Sequence, residues 1–372
     1  MAEERPLRTV DEHAGHQCRP FGRAYRASPS IVAAAVVVIL VLVLSPTISG
    51  TRSGPSPGDT GSASPGSTLP YPIKHVFVIV LENVAFSKAL TLPFMGYLAR
   101  TYSVAENFYA TCHPSAPNYL AMTAGEPFQC GSNRHHVYDT SSIADLVQDA
   151  GLSWDGFYQT MPHPCDTHGY ATYSYAPNAF VYYSDIVNNP TRCDTHDLPL
   201  TNFYADITAG TLPNYAVVLP NLTNQGHTPS TPAYASNFLH KFLSPLINDS
   251  FFQSSVFFIT YDEGLDDQGY TAGGTTLWGG HTYLVAVSPY TKHVDTYPTK
   301  EYTPDTSDYN LLTTSEWLLG ITPQTLHYAS WTAFPPMKGL FKFPTAPAAD
   351  QPATARPSAA EDGVATAVAA RW

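Results

Sequence analysis

The sequence predicts an α/β sandwich of three layers, in which helices cover both faces of a mostly parallel sheet. Two observations lead to this class. Short apolar runs without polar alternation recur along the chain, as in strands that are buried on both faces. Helical patterns lie between these runs, and alternating strands and helices are typical of a parallel sheet.

The runs place the strands and helices in order along the chain. The predicted strands are 75–81, 214–219, 255–261 and 282–288. The predicted helices are about 93–101, 116–123, 142–150, 233–247 and 307–319. In such sheets the ligand lies beyond the carboxyl ends of the strands, so the residues that follow each run are the first candidates for a site.

Composition limits the classes of function. Apolar residues make up 44% of the 372 residues, enough for a sizeable core, and charged residues only 13%. The formal net charge of -12, without a cluster of Lys or Arg, argues against nucleic-acid binding. A small phosphorylated substrate stays compatible with this charge, because a metal ion supplies positive charge locally.

The N-terminal residues predict export. Three arginines precede the apolar run 31–44, which places residues 1–27 in the cytoplasm and the rest of the chain outside it. We expect 28–49 to be a transmembrane signal-anchor that holds the protein at the cell membrane; a cleaved signal peptide and a secreted protein remain the alternative.

Composition also divides the remainder of the chain. Residues 50–70 are rich in Gly, Ser and Pro, typical of a flexible linker. The catalytic domain is predicted over 71–343, and the Ala/Pro-rich tail over 344–372 is predicted to be disordered. There is no internal repeat, and the oligomeric state stays open.

The cysteines agree with export. Apart from Cys18 on the cytoplasmic side, there are four, an even number that can form two disulfides in an oxidising compartment. Proximity in the sequence suggests Cys112–Cys130 and Cys165–Cys193. The spacing fits no zinc site of the cysteine type.

Oxygen-bearing side chains follow two of the predicted strands. Glu82 and Asn83 follow the first, and Asp262 and Glu263 follow the third. Together they can converge on a hard divalent cation, Mg, Ca or Mn, with Zn not excluded. The alternative for each pair alone is a turn or a helix cap.

A serine and two histidines complete the candidate site. Ser115 precedes a predicted helix, where it is either a helix cap or a nucleophile whose phosphoryl group binds the helix N-terminus. His227 and His281 flank core strands and are candidates for binding phosphate or protonating the leaving group. The alternative is a structural role for each histidine.

Five ordered motifs carry a resemblance: HVFVIVLEN, HPSAPNYLAMTAG, LPNYAVVLPNLTNQGH, FFITYDEG and GGHTYLVAVSPY. They resemble the phosphoesterase family of secreted acid phosphatases and bacterial phospholipases C, within the alkaline phosphatase superfamily. The resemblance implies an alkaline phosphatase-like fold and a metal site at Glu82, Asn83, Asp262 and Glu263. It also implies that Ser115 is the nucleophile and that the phosphate is surrounded by His113, Asn118, His227 and His281.

The predicted activity is that of an acid phosphatase-like phosphomonoesterase that acts through a phosphoseryl intermediate. The first motif continues as Val84-Ala85-Phe86-Ser87, closer to phosphatase-like than to phospholipase-like members, and Thr228 stands where the family often has Asp. The first alternative is a phospholipase C-like phosphodiesterase acting on a lipid head group. The second, of another class, is a non-catalytic surface protein that uses the same fold as a binding module.

Overall fold

The computed structural model describes residues 69–227, 231–291, 304–321 and 326–344. In these ranges no helix has both the length and the apolar character needed to cross a membrane. The predicted cytoplasmic tail, the membrane segment at 28–49, most of the linker and the C-terminal tail lie outside the described residues. The predictions for them are therefore not tested.

A large mixed sheet forms the centre of the described domain. Its strands and those of one small hairpin are β1 His75–Leu81, β2 Ser103–Tyr109, β3 Trp154–Tyr158, β4 Asp197–Pro199, β5 Tyr215–Leu219, β6 Ser255–Tyr261, β7 Thr271–Ala272, β8 Thr275–Thr276, β9 His281–Val287 and β10 Asp305–Ser307. The sheet order is β10-β2-β9-β6-β1-β5-β3-β4, and β7 and β8 form the hairpin. Only β9 runs antiparallel to its neighbours, β2 and β6, so the predicted mostly parallel sheet is confirmed.

The helices agree closely with the sequence periodicity. They are α1 Phe86–Thr91, α2 Pro93–Thr101, α3 Ala116–Ala124, α4 Ile143–Asp149, α5 Ser184–Val187, α6 Pro190–His196, α7 Leu200–Ala209, α8 Leu222–Gln225, α9 Pro232–Ile247 and α10 Asp308–Leu318. Short 3-10 turns span Ala179–Tyr182, Ser250–Ser254 and Lys338–Leu340. α3 ends at Gly125, whose φ of +72° suits glycine, and a Cβ there would lie 2.0 Å from the carbonyl oxygen of Leu326.

The two faces of the sheet bury separate apolar layers. Along β1, Val78 and Val80 point to the face covered by α3, α4 and α10, whereas Phe77 and Ile79 point to the face covered by α1, α2, α7 and α9. Successive side chains of a strand alternate between faces, so a strand covered on both sides is apolar throughout. Each such side chain contributes roughly 1.5–3 kcal/mol on burial. The predicted three-layer sandwich is confirmed.

Several strands were not predicted, because they lack a continuous apolar run. β2 reads SVAENFY and contains Glu106 and Asn107, while β4 and β10 have three residues each. β3 contains Asp155 and Gly156 between aromatic residues. These strands are short or lie near the edges of the sheet. Pairing with neighbouring strands, and not their own composition, therefore makes them strands.

Two disulfides cross-link the described domain. They join Cys112 to Cys130 and Cys165 to Cys193, with Cα–Cα distances of 5.8 Å and 5.3 Å. Both predicted pairings are confirmed. The segment closed by the second bridge carries no strong helix or strand pattern in its sequence, yet it contains α5 and the start of α6.

The tyrosines of this second segment mostly pack inside the domain. Tyr173, Tyr182 and Tyr183 are buried, whereas Tyr170 is exposed. The hydroxyl of Tyr173 donates to the carbonyl oxygen of Asp166 at 2.7 Å. Three of the five tyrosines in this segment therefore stabilise the fold.

Candidate active site

The candidate acidic residues meet at the carboxyl edge of the sheet. β1 and β6 are parallel neighbours with Leu81 opposite Tyr261, so Glu82 and Asp262 each follow at the same level. The backbone N–H of Asp262 donates to the carbonyl oxygen of Leu81 at 2.9 Å. The backbone N–H of Asn83 donates to Asp262 Oδ1 at 2.9 Å. The sheet register thus brings together residues that lie 180 positions apart in the sequence.

Ser115 lies beside this acidic group. Its backbone is already helical, with φ -47° and ψ -55°, and its side chain makes no capping hydrogen bond to α3. A capping residue has an extended backbone and accepts from the following turn, so the cap interpretation of Ser115 is wrong for this structure. Instead, Ser115 Oγ lies 3.4 Å from Glu82 Oε2 and 3.4 Å from Glu263 Oε1. The hydroxyl is therefore directed at the carboxylates.

The N–H groups at the start of α3 already have partners. The N–H of Ala116 donates to Asn133 Oδ1 at 2.8 Å, Pro117 has no N–H, and the N–H of Asn118 donates to the carbonyl oxygen of Ser115 at 3.0 Å. We expected these groups to bind a phosphoryl group. In this structure Asn133, which the sequence did not single out, takes the first of them.

Two side chains of α3 hold the loop and the first carboxylate in place. Asn118 is fully buried: its Oδ1 accepts from the N–H of Cys112 at 3.0 Å, and its Nδ2 donates to the Cys112 carbonyl at 2.7 Å. Its amide therefore shapes the loop before Ser115. Tyr119, which follows Ser115 by one helical turn, donates from its hydroxyl to Glu82 Oε1 at 3.3 Å. Sequence reasoning missed Tyr119, although its spacing of four from Ser115 puts both on one face of the helix.

His113 contacts the second acidic pair. Its Nδ1 lies 2.7 Å from Glu263 Oε2 and its Nε2 lies 3.0 Å from the carbonyl oxygen of Asp266. Burial lowers the pKa of His113, but hydrogen bonds to Asp266 and Glu263 outweigh burial and raise it above the ordinary value. Both ring nitrogens thus face acceptors, an arrangement that suits the imidazolium form.

The other two histidines have different surroundings. His281 Nε2 lies 2.7 Å from the carbonyl oxygen of Glu106, and the ring lies between Phe86 and Tyr109 at centroid distances of 4.7 Å and 5.1 Å. His227 follows α8, and its charge acts on Glu82. Of these two, His227 is the one coupled electrostatically to the carboxylates.

The three carboxylates of the site are buried, and their negative charges act on one another. Glu82, Asp262 and Glu263 are 3%, 0% and 7% exposed. Burial raises the pKa of Glu82, and the charge of Glu263 raises it further, whereas His227 lowers it. Burial raises the pKa of Asp262 well above its ordinary value, with further contributions from Glu82 and Glu263. Burial also raises the pKa of Glu263. Like charges in a buried site oppose joint ionisation unless a cation compensates them.

Two features of the donor atoms suit such a cation. Asp262 Oδ2 is buried and has no hydrogen-bond partner among the described residues. The amide of Asn83 faces carboxylate oxygens: with its nitrogen turned toward them it donates to Asp262 Oδ1 at 3.3 Å and to Glu263 Oε1 at 2.9 Å. With its oxygen turned toward them, it adds another oxygen donor to the group.

No preformed metal centre of the His/Cys/Asp/Glu type stands in the described ranges. There, no group of three or more such side chains has a metal-binding arrangement. The candidate donors include the amide of Asn83, which is not of this type, and Glu263 Oε2 is held by His113 at 2.7 Å. Small rotations of these side chains would be needed for all donors to share an ion.

Two further buried polar groups adjoin the site without having been predicted. Gln225 in α8 is 1% exposed, and neither atom of its side-chain amide bonds to a residue that the structure describes, while its backbone carbonyl oxygen accepts from the N–H of Glu82 at 3.2 Å. Asp308 accepts from the N–H and hydroxyl of Thr111 at 2.9 Å and 2.8 Å, and burial raises its pKa to about 8. Gln225 lies two residues before His227 in the third motif, and this position is the sequence signal that could have identified it.

Comparison with known families gives one clear match. The model of the Phosphoesterase family matches residues 87–306, more than half of the chain. Glu82 and Asn83 precede the matched range.

Several curated proteins are similar in sequence. A probable acid phosphatase of Kluyveromyces lactis is 32% identical over 201 residues, 51% of this chain and 47% of that protein. An acid phosphatase of Aspergillus fumigatus is 27% identical over 259 residues, 63% of this chain and 56% of that protein. A phosphatidylinositol-3-phosphatase of Mycobacterium tuberculosis is 28% identical over 316 residues, 82% of this chain and 92% of that protein. The chain spans about half the length of the fungal relatives it matches.

Solved structures show more distant similarity. A protein in the alkaline phosphatase superfamily from Vibrio parahaemolyticus has 15% identity and a TM-score of 0.45, covering 70% of this chain and 71% of that one. Human ectonucleotide pyrophosphatase/phosphodiesterase 5 has 12% identity and a TM-score of 0.46, covering 70% and 98%.

Proposed function

Because the chain belongs to the phosphoesterase family, we propose that it hydrolyses phosphate monoesters with Ser115 as the nucleophile. One observation carries the proposal. The Ser115 hydroxyl is free of the capping role expected at a helix start and lies 3.4 Å from carboxylate oxygens of Glu82 and Glu263. A hydroxyl becomes a nucleophile when a neighbouring group takes its proton or lowers its pKa.

The proposed reaction has two displacements at phosphorus. In the first, Ser115 Oγ forms a bond to phosphorus, gives its proton to a carboxylate oxygen, and the bond to the alcohol oxygen breaks. The leaving oxygen keeps the electron pair and takes a proton, for which His227, whose charge acts on Glu82, is the preferred donor over His281. In the second, water attacks phosphorus and gives a proton to His227, the bond from phosphorus to Ser115 Oγ breaks, Ser115 regains its proton from the carboxylate, and inorganic phosphate departs.

A divalent cation is part of the proposal. Glu82, Asn83, Asp262 and Glu263 would hold it, and the unpartnered Asp262 Oδ2 supports this assignment. A bound cation lowers the pKa of a nearby hydroxyl and offsets the charge of the phosphate. His113 holds Glu263 from the opposite side, and Tyr119 holds Glu82, so both carboxylates have second partners that orient them. The oxygen donors suit Mg, Ca or Mn. Zn is compatible with these donors, but they do not favour it.

The names of the relatives favour monoesters over diesters. The fungal proteins are named acid phosphatases, and the relative from Mycobacterium tuberculosis is named a phosphatase of a phosphoinositide. A panel of p-nitrophenyl phosphate, bis(p-nitrophenyl) phosphate and phosphatidylcholine, each assayed after metal removal and with a series of divalent ions, tests the proposal. We expect turnover of the monoester and its loss after chelation. Turnover of phosphatidylcholine alone would favour the phospholipase, and none with any ester despite bound metal would favour the binding module.

We also propose that the domain works outside the cytoplasm. The two disulfides support this location, since such bonds persist in oxidising compartments. The membrane anchor at 28–49 belongs to the same proposal. Fractionation of the native host, followed by N-terminal sequencing of the exported protein, distinguishes an intact anchor from a cleaved signal peptide.

A further inference from the structure

A cavity of about 670 Å³ opens at the carboxyl edge of the sheet. Its wall includes Gln159 and Thr160 after β3, Thr201 after β4, Asn224 in α8 and Lys241 in α9. None of the candidate catalytic or metal-binding residues lines it. This volume lies within the range of pockets that hold whole small molecules, and residues beyond the strand ends commonly form such pockets.

The cavity adjoins the candidate active site through α8. Asn224 lines the cavity, and the next residue, Gln225, accepts from the N–H of Glu82 at 3.2 Å. His227, whose charge acts on Glu82, follows two residues later. The residue in the cavity wall and the residue that binds the Glu82 backbone are therefore consecutive in α8.

Polar groups in the wall are fixed in position. Gln159 Oε1 accepts from Asn224 Nδ2 at 2.9 Å and from the N–H of Asn221 at 3.1 Å. This pair leaves a donor, Gln159 Nε2, and an acceptor, Asn224 Oδ1, without a bond to any residue in the described ranges. The hydroxyl of Thr201 and the amide of Asn237 add further uncharged groups to the wall.

The rest of the lining is apolar with a single charge. Met161, Leu200 and Phe238 are nearly buried and form an apolar surface. Lys241 is the only charged residue of the lining; it is exposed and forms no ion pair with residues in the described part of the chain. Amides and hydroxyls around an apolar surface suit a hydroxylated ring, and one unpaired ammonium suits an anionic substituent on it.

We propose that this cavity binds the alcohol portion of the substrate, a hydroxylated ring of monosaccharide size that bears a second anionic group. The inference rests on the proposed function and names its substrate class. Lys241 binds the second anion, and Gln159 and Asn224 bind ring hydroxyls. A cationic leaving group such as choline is excluded from this cavity by the charge of Lys241.

The test compares substrates that differ only in the second anion. For the purified full-length protein, we expect kcat/KM for glucose 1,6-bisphosphate to exceed that for glucose 6-phosphate by about fivefold, the size of one partly exposed ionic contact. Lys241→Gln should remove most of this preference. The matched control is Lys74→Gln, an exposed lysine before β1 at the opposite end of the sheet, which should preserve it. Equal kcat/KM values in the wild type, or the same loss for both sugars in Lys241→Gln, would overturn the inference.

A binding measurement separates this inference from the proposed function. Calorimetry of glucose 1,6-bisphosphate with Ser115→Ala should show binding that weakens about fivefold when Lys241→Gln is added. Absence of p-nitrophenyl phosphate turnover by the wild type would refute the proposed function, whereas the calorimetric result would decide on the cavity alone. Thr201→Trp, which fills the cavity from an exposed position, should also weaken binding. Unchanged affinity in both variants would locate the ligand elsewhere.

Discussion

The hydroxyl of Ser115 lies 3.4 Å from Glu82 Oε2, although 33 residues separate them in the chain. Glu82 follows the central strand β1, and Ser115 begins α3 on one face of the sheet. Tyr119, one turn along α3, bonds the other oxygen of the same carboxylate at 3.3 Å. Helix α3 therefore fixes both the nucleophile candidate and the carboxylate beside it.

Ser115→Ala is expected to abolish turnover while the domain remains folded. Because Ser115 makes no capping bond, its loss should destabilise the domain less than the ~1 kcal/mol of a typical cap. Steady-state kinetics and thermal unfolding measure the two effects. The matched control is Ser142→Ala, which removes a true capping box at α4 and should lower stability with kcat unchanged. Substantial residual kcat in Ser115→Ala would remove this residue from the mechanism.

Glu82→Gln and Asp262→Asn are expected to lower the metal content of the purified protein. Each change neutralises a carboxylate of the candidate site and keeps its shape. Elemental analysis after dialysis against a defined ion measures the stoichiometry. Asp197→Asn serves as the control, because Asp197 is also fully buried but is bonded by Asn178 at 2.9 Å away from the site. If a variant binds as much metal as the wild type, the altered residue is not a metal ligand.

Much of the site could be predicted because the order of the strands in the sheet determines which residues meet at its carboxyl edge. Glu82 and Asp262 each follow a continuous apolar run, and parallel neighbours place such residues together whatever the loops do. The helices could also be predicted, because their apolar residues recur with helical periodicity, which is strong along α2 and α9. The disulfides followed from the small number of cysteines and their spacing.

The remainder depended on contacts that sequence periodicity does not encode. Tyr119 and Asn118 are consecutive, yet one bonds Glu82 and the other the Cys112 backbone, because adjacent helix positions point about 100° apart. β2 carries polar residues and exists through its pairing with β9. Asn133 reaches the start of α3 from a loop whose path no local pattern predicts.

His227→Gln is expected to lower kcat more than His281→Gln. His227 is coupled to Glu82, whereas Nε2 of His281 is engaged by the Glu106 carbonyl. Loss of a general acid commonly lowers the rate about 100-fold or more. For an ester with a good leaving group, such as p-nitrophenyl phosphate, the loss should be smaller than for an alkyl phosphate, and this comparison separates proton donation from a structural effect. Equal losses with both esters would refute a role for His227 as the acid.

Replacing Cys165 and Cys193 by serine is expected to lower the free energy of unfolding by about 2–4 kcal/mol, as for loops of this length. The bridge also joins the start of the loop, where the Cys165 N–H donates to the Asp197 carbonyl at 2.9 Å, to α6. Urea unfolding of oxidised and variant protein measures the difference. The Cys112–Cys130 variant provides the contrast: this bridge anchors the loop whose backbone bonds Asn118 just before Ser115, so loss of the bridge should reduce kcat as well. Native protein with four free thiols would contradict both bridges.

Glu316→Gln is expected to stabilise the domain at neutral pH and to have little effect at acidic pH. Glu316 is fully buried in α10, one oxygen accepts from Trp331 Nε1 at 2.7 Å, and the other has no partner in the part of the chain that the structure describes. Burial raises its pKa from 4.5 to about 7, opposed by the Trp331 hydrogen bond. The folded state therefore retains a proton that the unfolded chain releases, so the stability from Glu316 is full below pH ~4.5 and is lost as the pH rises to about 7.

The amide in Glu316→Gln keeps an acceptor for Trp331 and cannot ionise, so it should remove this loss, worth about 3 kcal/mol above pH 7. Thermal unfolding at a series of pH values measures the effect as the difference between variant and wild type, which cancels the contribution of other titrating groups. Asp149→Asn, an exposed change at the end of α4, is the control and should leave the pH profile unchanged. A variant less stable than the wild type at pH 8 would show that Glu316 is held as a carboxylate by a group other than Trp331.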